Sequence, residues 1–210
     1  MPMLPKGKGW CLDIGCGDGH HREDIRDKGY SWIGCDINQE RIENYVLADA
    51  LCLPFKSNSI DVVFSNCVLE HMKDPFVALN ELQRVLKRQG KIYLQVAFME
   101  PFHGSYFHIT HWGLEELASR SKLRIIQIEP GATTFVPIWG QLFDIVGIST
   151  CKIVITPIVF FIQIVLKRLG YIGIVVFCGK KSWQFAKFHG YFDRLPLKLA
   201  GHIKCIMEKP

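Results

Sequence analysis

WCLDIGCGDG occupies residues 10–19 and holds two signals in succession. Trp10–Ile14 is a short apolar run, the pattern of a buried strand. Gly15-Cys16-Gly17-Asp18-Gly19 follows and leads into a helix-like segment. Glycine is required where backbone turns with positive φ or lies against a ligand with no Cβ between. A loop of this kind, at the carboxyl end of a first strand, is where open α/β sheets take nucleotide-like ligands. Its spacing is G-x-G-x-G. That departs from the G-x-G-x-x-G of dinucleotide-binding loops and argues against a dinucleotide oxidoreductase.

Strand-like and helix-like segments alternate away from this loop. His20–Lys28 reads as a helix stopped at Gly29. Tyr30–Cys35 reads as a second strand with Asp36 at its end, Gln39–Asn44 as a short helix and Tyr45–Ala48 as a third strand. Ile60–Ser65 (IDVVFS) is a continuous apolar strand of the parallel-sheet kind. Phe76, Leu79, Leu82, Val85 and Leu86 recur at helical spacing. They predict a helix over Pro75–Lys87, with Asp74 as N-cap, proline at its first position and Gly90 as its stop. Lys91–Ala97 reads as a fifth strand, Thr110–Ser121 as a helix opened by a capping threonine, and Leu123–Glu129 as a sixth strand. This order predicts an α/β fold with a doubly wound parallel sheet. Right-handed crossovers then bring Gly15–Gly19, Asp36, Asp49, Asn66 and the loop after Ala97 to one edge.

A length of 210 residues suits one domain, or one domain with an elaboration. A net charge of +5, with no basic run in the first half, carries no nucleic-acid signature. Eight cysteines (11, 16, 35, 52, 67, 151, 178 and 205) lack C-x-x-C spacing and lie mostly in apolar runs. They read as small reduced hydrophobes in a reducing, cytoplasmic compartment. MPMLPKGKGW at the start holds no apolar stretch of signal-peptide type.

Asp36 lies about twenty residues beyond the glycine loop, where a carboxylate can accept hydrogen bonds from both hydroxyls of a ribose. Asp49-Ala50 follows the third strand and places a carboxylate where it can meet an exocyclic amine of a base. LDIGCGDG (12–19), IGCDIN (33–38), residues 47–75 and ELQRVLKRQGKIYLQV (81–96) together resemble the class I S-adenosylmethionine-dependent methyltransferases. The resemblance is to the small-molecule type that includes the ubiquinone and menaquinone enzymes. It implies S-adenosylmethionine as cofactor and a Rossmann-like sheet in the order 3-2-1-4-5-7-6, with Gly201–Lys209 as an antiparallel strand seven. It further implies that Asp13, Gly15, Cys16, Gly17 and Gly19 hold the methionine part of the cofactor. Asp36 with Ile37 would bind the ribose, Asp49 and Ala50 would flank the adenine, and Asn66 would lie near the methyl group.

Methyl transfer from a sulfonium requires nucleophile and methyl to be held in line, and a hydroxyl acceptor also profits from a general base. His71, in the family's L-E-H position after strand four, is one candidate, with pocket shaping as its other reading. In the ubiquinone O-methyltransferases a glutamate that helps bind metal stands where this chain has Cys67, which argues against that metal site. His103, His108 and His111, interleaved with Phe102, Tyr106, Phe107 and Trp112, form a second cluster after strand five. Their spacing fits no compact zinc motif, so His103 and His108 are read as pocket groups able to polarise or deprotonate an acceptor, and no metal is assigned.

Thr134–Cys178 is almost wholly apolar. Within it, Thr156-Pro157 opens a helix to Leu169 that is apolar around its circumference, hence buried or in lipid. Ile153–Leu166 falls short of the ~20 residues of a spanning helix. Two short apolar helices, near 137–149 and 156–169 and flanked by lysines and Arg168, suit peripheral contact with the inner face of a membrane. A homodimer interface or a lid over a greasy pocket is the other reading. The expected organisation is a cofactor-binding domain of residues 1–130 with 199–210, and an apolar helical insertion of residues 131–198 between strands six and seven. The leading expectation is a methyltransferase for a hydrophobic or lipid-linked small-molecule acceptor. The alternatives are a soluble enzyme for a polar metabolite with a dimerising insertion, and a cofactor-binding, non-catalytic membrane partner. Only nine residues precede strand one, where relatives often carry a helix that closes over the cofactor.

Overall fold

The computed structural model describes residues 4–38, 42–99, 104–131 and 202–210. The chain forms two units. The first comprises Met1–Phe98, His103–Glu129 and Ile203–Pro210, and the second Met99–Phe102 with Pro130–His202. The second lies almost wholly outside the described residues, as do the two expected apolar helices. Among the described residues no helix is long and apolar enough to cross a membrane.

The elements are β1 (Trp10–Ile14), α1 (Arg22–Asp27), β2 (Ser31–Asp36), β3 (Tyr45–Leu47), β4 (Ile60–Asn66), a single 3-10 turn (Leu69–His71), α2 (Pro75–Val85), β5 (Leu86–Ala97), α3 (His111–Arg120), β6 (Arg124–Pro130) and β7 (His202–Glu208). They build a seven-stranded sheet in the order β3-β2-β1-β4-β5-β7-β6, as the resemblance implied. β1 runs parallel to β2 and β4, and Asp13 stands level with Gly34 on one side and Phe64 on the other. β7 is antiparallel: the backbone at Lys209 exchanges hydrogen bonds with Gln89 and Gly90 at the start of β5, while Arg124 at the start of β6 pairs with Glu208.

Strands buried on both faces explain the largely apolar runs of β1 and β4, interrupted by Asp13 and Asp61. Leu12, Val63, Ile92, Leu94, Ile203 and Met207 are fully buried along the sheet. α2 lays Ala78, Leu79, Leu82 and Val85 against the core, each large side chain contributing about 1.5–3 kcal/mol by leaving water. Asp74 caps α2, its carboxylate accepting from the N–H groups of Phe76 and Val77 at 3.0 Å. Cys11, Cys16, Cys35 and Cys205 are buried free thiols. Burial pushes those of Cys16, Cys35 and Cys205 up to about 12, so they behave as small apolar groups.

Four expected elements differ. α1 is shorter than His20–Lys28, because the glycine loop runs on to His21 before helical geometry begins. Of the expected helix Gln39–Asn44 the described part, Ile42–Asn44, is not helical, and Asn44 has φ 59°. α2 ends at Val85, two residues short of the expected Lys87 and before its expected stop at Gly90. Its last carbonyls are taken by other partners: Asn58 N–H donates to Arg84 O, Ser59 N–H to Val85 O, and the Lys209 ammonium to Gln83 O and Leu86 O. Leu86 therefore turns extended and starts β5 five residues earlier than the sequence pattern indicated.

Candidate cofactor-binding site

The carboxyl ends of β1 to β4 meet around a cleft of about 530 Å³. Gly15, Asp36, Ile37, Asp49, Ala50 and His71, all expected at the site, line it, together with Cys67, Val68, Met72, Lys73, Leu51 and Tyr106. All three loop glycines adopt positive φ: 67° at Gly15, 51° at Gly17 and 80° at Gly19. At Gly15 a Cβ would also meet the Val68 methyls at 2.4 and 2.5 Å. Only glycine meets both demands there.

The loop is tied to β2. Gly15 N–H and Cys16 N–H donate to Cys35 O at 2.8 and 3.4 Å, and Gly17 N–H donates to Asp36 Oδ2 at 2.9 Å. Gly19 N–H closes a turn onto Cys16 O at 2.9 Å. These donors are consumed within the fold. A phosphate cradle needs free N–H groups converging on the anion, so the loop is ill-suited to a pyrophosphate.

Asp36 is half-buried at the end of β2. Its Oδ1 accepts from Asn38 N and Nδ2 at 3.0 and 3.3 Å, so both carboxylate oxygens are held in fixed directions at the cleft wall. Ile37 beside it is 70 % exposed, an apolar face offered to the cleft. Asp49 accepts from Leu51 N–H at 2.9 Å and is exposed, while Ala50 is buried. Asp13 lies beneath the loop, 1 % exposed, and its Oδ2 accepts from Trp32 Nε1 at 3.0 Å. Burial pushes its carboxyl up to about 7; the Trp32 N–H partly offsets this and the charge of Asp36 adds to it.

Asn66 closes β4, with its Nδ2 at 3.2 Å from His21 Nε2. His21 also packs edge-on against Phe64, and burial, reinforced by His20, holds its imidazole below the usual histidine range. Asp13, Cys16, Gly17, Gly19, Asn66 and His108 do not line the cleft themselves. His108 is exposed in the loop before α3, and His103 lies outside the described residues. His111 is buried at the start of α3 behind its capping Thr110 and stands apart from the cleft.

Glu70 is a residue whose part the sequence did not disclose. It is fully buried, its Oε1 accepts from Ala97 N–H at 2.9 Å, and its backbone carbonyl accepts from Tyr106 and Phe107 N–H at 3.0 and 3.1 Å. It thereby ties the turn bearing His71 to the end of β5 and to the loop that brings Tyr106 into the cleft. Its place in the L-E-H segment directly after strand four was the available signal.

Residues 12–94 match the family model described as Methyltransferase domain. They are a class I S-adenosylmethionine-dependent methyltransferase domain. Relatives of the domain include an uncharacterized protein of Methanocaldococcus jannaschii, 33 % identical over 111 residues that make up 50 % of this chain and 51 % of that one. A malonyl-[acyl-carrier protein] O-methyltransferase of Hamiltonella defensa is 33 % identical over 101 residues, 44 % of this chain and 39 % of that one. The chain spans about half the length of the curated relatives it matches. Solved structures share the fold. A putative methyltransferase from Bacillus halodurans aligns with a TM-score of 0.61 at 14 % identity, over 99 % of this chain and 95 % of that one. The [4+2]-cyclase SpnF aligns with a TM-score of 0.61 at 18 % identity, over 98 % of this chain and 76 % of that one. S-adenosylmethionine is the cofactor of the methyltransferase domain. The cleft's features suit it: fixed acceptors at Asp36 for a ribose, an apolar face at Ile37 for a base, and a loop with its N–H groups spent.

Proposed function

We propose that the chain transfers a methyl group to a small-molecule acceptor that is hydrophobic or lipid-linked. One observation carries the reading. The glycine loop donates its N–H groups to β2 and to itself, so it suits a zwitterionic amino-acid moiety beside a sulfonium better than a doubly charged pyrophosphate. Asp36 would receive the ribose hydroxyls, Ile37 and Ala50 would border the adenine, and Asp49 would accept from its exocyclic amine. Asp13, beneath the loop, and Asn66, at the end of β4, would support the methionine side. When bound, S-adenosylmethionine supplies an electrophilic methyl on a sulfonium.

The chain's own task is alignment and proton handling. His71 lines the cleft on the Leu69–His71 turn and would accept the proton of an acceptor hydroxyl or carboxyl as the bond to carbon forms. Tyr106 would close the cleft over the acceptor, held by the Glu70 carbonyl. His108, in the same loop, and His103 would border the acceptor side. The name of the Hamiltonella defensa relative, whose acceptor is carried on an acyl-carrier protein, supports a lipid-linked class. A cytoplasmic location, from the reduced cysteines, belongs to the same proposal.

Calorimetric titration with S-adenosylhomocysteine tests the cofactor half. Mass spectrometry of lipid and metabolite extracts incubated with enzyme and S-adenosylmethionine tests the transfer half, by the mass of one added CH₂. Cofactor binding without any methylated product would favour a non-catalytic role.

A further inference from the structure

Resting on that reading, we propose that Glu81 and Arg84, on α2 and outside the cleft wall, are positioning residues that set the domain's selectivity for adenine. The segment after β3 supplies Asp49, Ala50 and Leu51 to the cleft. Near its start it is tied by Ala48 N–H donating to Asp36 O at 3.0 Å and by Cys52 N–H donating to Asp49 O at 2.9 Å. Beyond Cys52 the segment has no strand or helix to fix it until β4 begins at Ile60.

α2 supplies the missing support. Glu81 Oε2 accepts from Leu53 N–H at 2.8 Å. Arg84 Nη2 donates to Leu53 O at 2.9 Å, and Nη1 donates to Phe55 O at 2.8 Å and to Ser57 Oγ at 3.4 Å. Arg84 Nε and Nη2 also fork onto the two Glu81 carboxylate oxygens at 2.7 and 2.8 Å. The pair sits one helical turn apart, so each side chain orients the other. The Arg84 hydrogen bonds hold the Glu81 carboxyl below the usual carboxylate range. Leu53, gripped at both its N–H and its carbonyl, is buried two residues beyond Leu51. Rotation or retreat of this grip moves Asp49 and Leu51 relative to Asp36, and with them the distance between ribose and base acceptors. A planar guanidinium can meet both oxygens of the Glu81 carboxylate and still donate to two carbonyls and a hydroxyl, five contacts in all, whereas an ammonium has three donors and no bidentate fork.

The test compares two ligands that differ only at the base: S-adenosylhomocysteine, with an exocyclic amine, and S-inosylhomocysteine, with a carbonyl there. Wild-type protein should bind the adenosyl ligand at least about tenfold more tightly, since a site built for a donor rejects the group that lacks it. In Arg84→Leu the preference should fall to about threefold or less, with Glu81→Gln and Arg84→Lys in between. Lys87→Met removes the Lys87–Asp61 ion pair of β5 and β4, a loss of similar kind that makes no contact with Leu53 or Phe55, and should leave the ratio untouched. If Arg84→Leu does not fold, the two conservative variants decide. A merely structural role would lower thermal stability without altering the ratio, and an unchanged ratio in all three variants overturns the proposal. Equal wild-type affinity for both ligands overturns it too. Absence of wild-type binding to either ligand instead removes the cofactor reading beneath it.

Discussion

Replacing Asp36 by asparagine exchanges one carboxylate oxygen for an NH₂ group and separates the structural from the binding role of this carboxylate. In the folded chain its oxygens accept from opposite sides: Oδ2 from Gly17 N–H at 2.9 Å, Oδ1 from Asn38 N and Nδ2 at 3.0 and 3.3 Å. Both neighbours are donors. An asparagine has one acceptor oxygen, so its NH₂ must face a donor on one side. A hydrogen bond to a charged group contributes about 1.5–3 kcal/mol, and water at this half-buried position replaces part of it. The expected loss of stability is about 1 kcal/mol, a fall of about 2–4 °C in Tm for a chain of this size. Cofactor affinity should suffer more, because the same oxygens are the acceptors for the ribose hydroxyls. One acceptor becomes a donor, and the loss of about 1.5–3 kcal/mol corresponds to roughly 10- to 150-fold weaker binding of S-adenosylhomocysteine. Calorimetry on both proteins, with thermal melts run in parallel, reads the two effects separately. Affinity within roughly threefold of wild type would refute the assignment of Asp36 to the ribose, whatever happens to Tm.

Other consequences follow from the same geometry. Asp13 is pushed up to about 7 by burial, above the usual carboxylate range. The native state therefore holds a proton that the unfolded chain has lost, and stability should decline as pH rises from about 4 through 7. Asp13→Asn should flatten that decline in urea titrations at several pH values without cofactor, and parallel curves for the two proteins would count against it. Gly15→Ala should destabilise more than the 1–2 kcal/mol or so of left-handed strain, because its Cβ meets Val68 at 2.4 Å, whereas Gly17→Ala, with no atom within 4 Å, should cost about that strain alone. Adding Val68→Ala to Gly15→Ala should restore part of the loss in denaturant titration; no recovery would mean the clash is not the cause. Asp74→Ala removes the cap on Phe76 and Val77 N–H and should cost about 1 kcal/mol by urea denaturation.

Chain-local physics wrote much of this domain into its sequence. Trp10–Ile14 and Ile60–Ser65 are largely apolar because central parallel strands bury most of both faces, and Asp74-Pro75 announces a helix start because capping is settled within four residues. The G-x-G-x-G loop and Asp36 are legible for the same reason: positive φ and a strand-end carboxylate are properties of single positions. The end of α2 was not. Pattern alone carries it to Lys87, but its final carbonyls are claimed by Asn58, Ser59 and Lys209, the last of them 123 residues from Leu86. Tertiary structure alone also decided that Glu70 joins the His71 turn to the Tyr106 loop, that Trp32 meets Asp13, and that Arg84 grips Leu53 and Phe55. Each is a bond between segments distant in the chain, and a hydrogen bond's partner is set by where the backbone passes, which no local pattern encodes. The sequence determined what the edge of the sheet is made of; the packing determined which of those groups face the cleft and which hold the others in place.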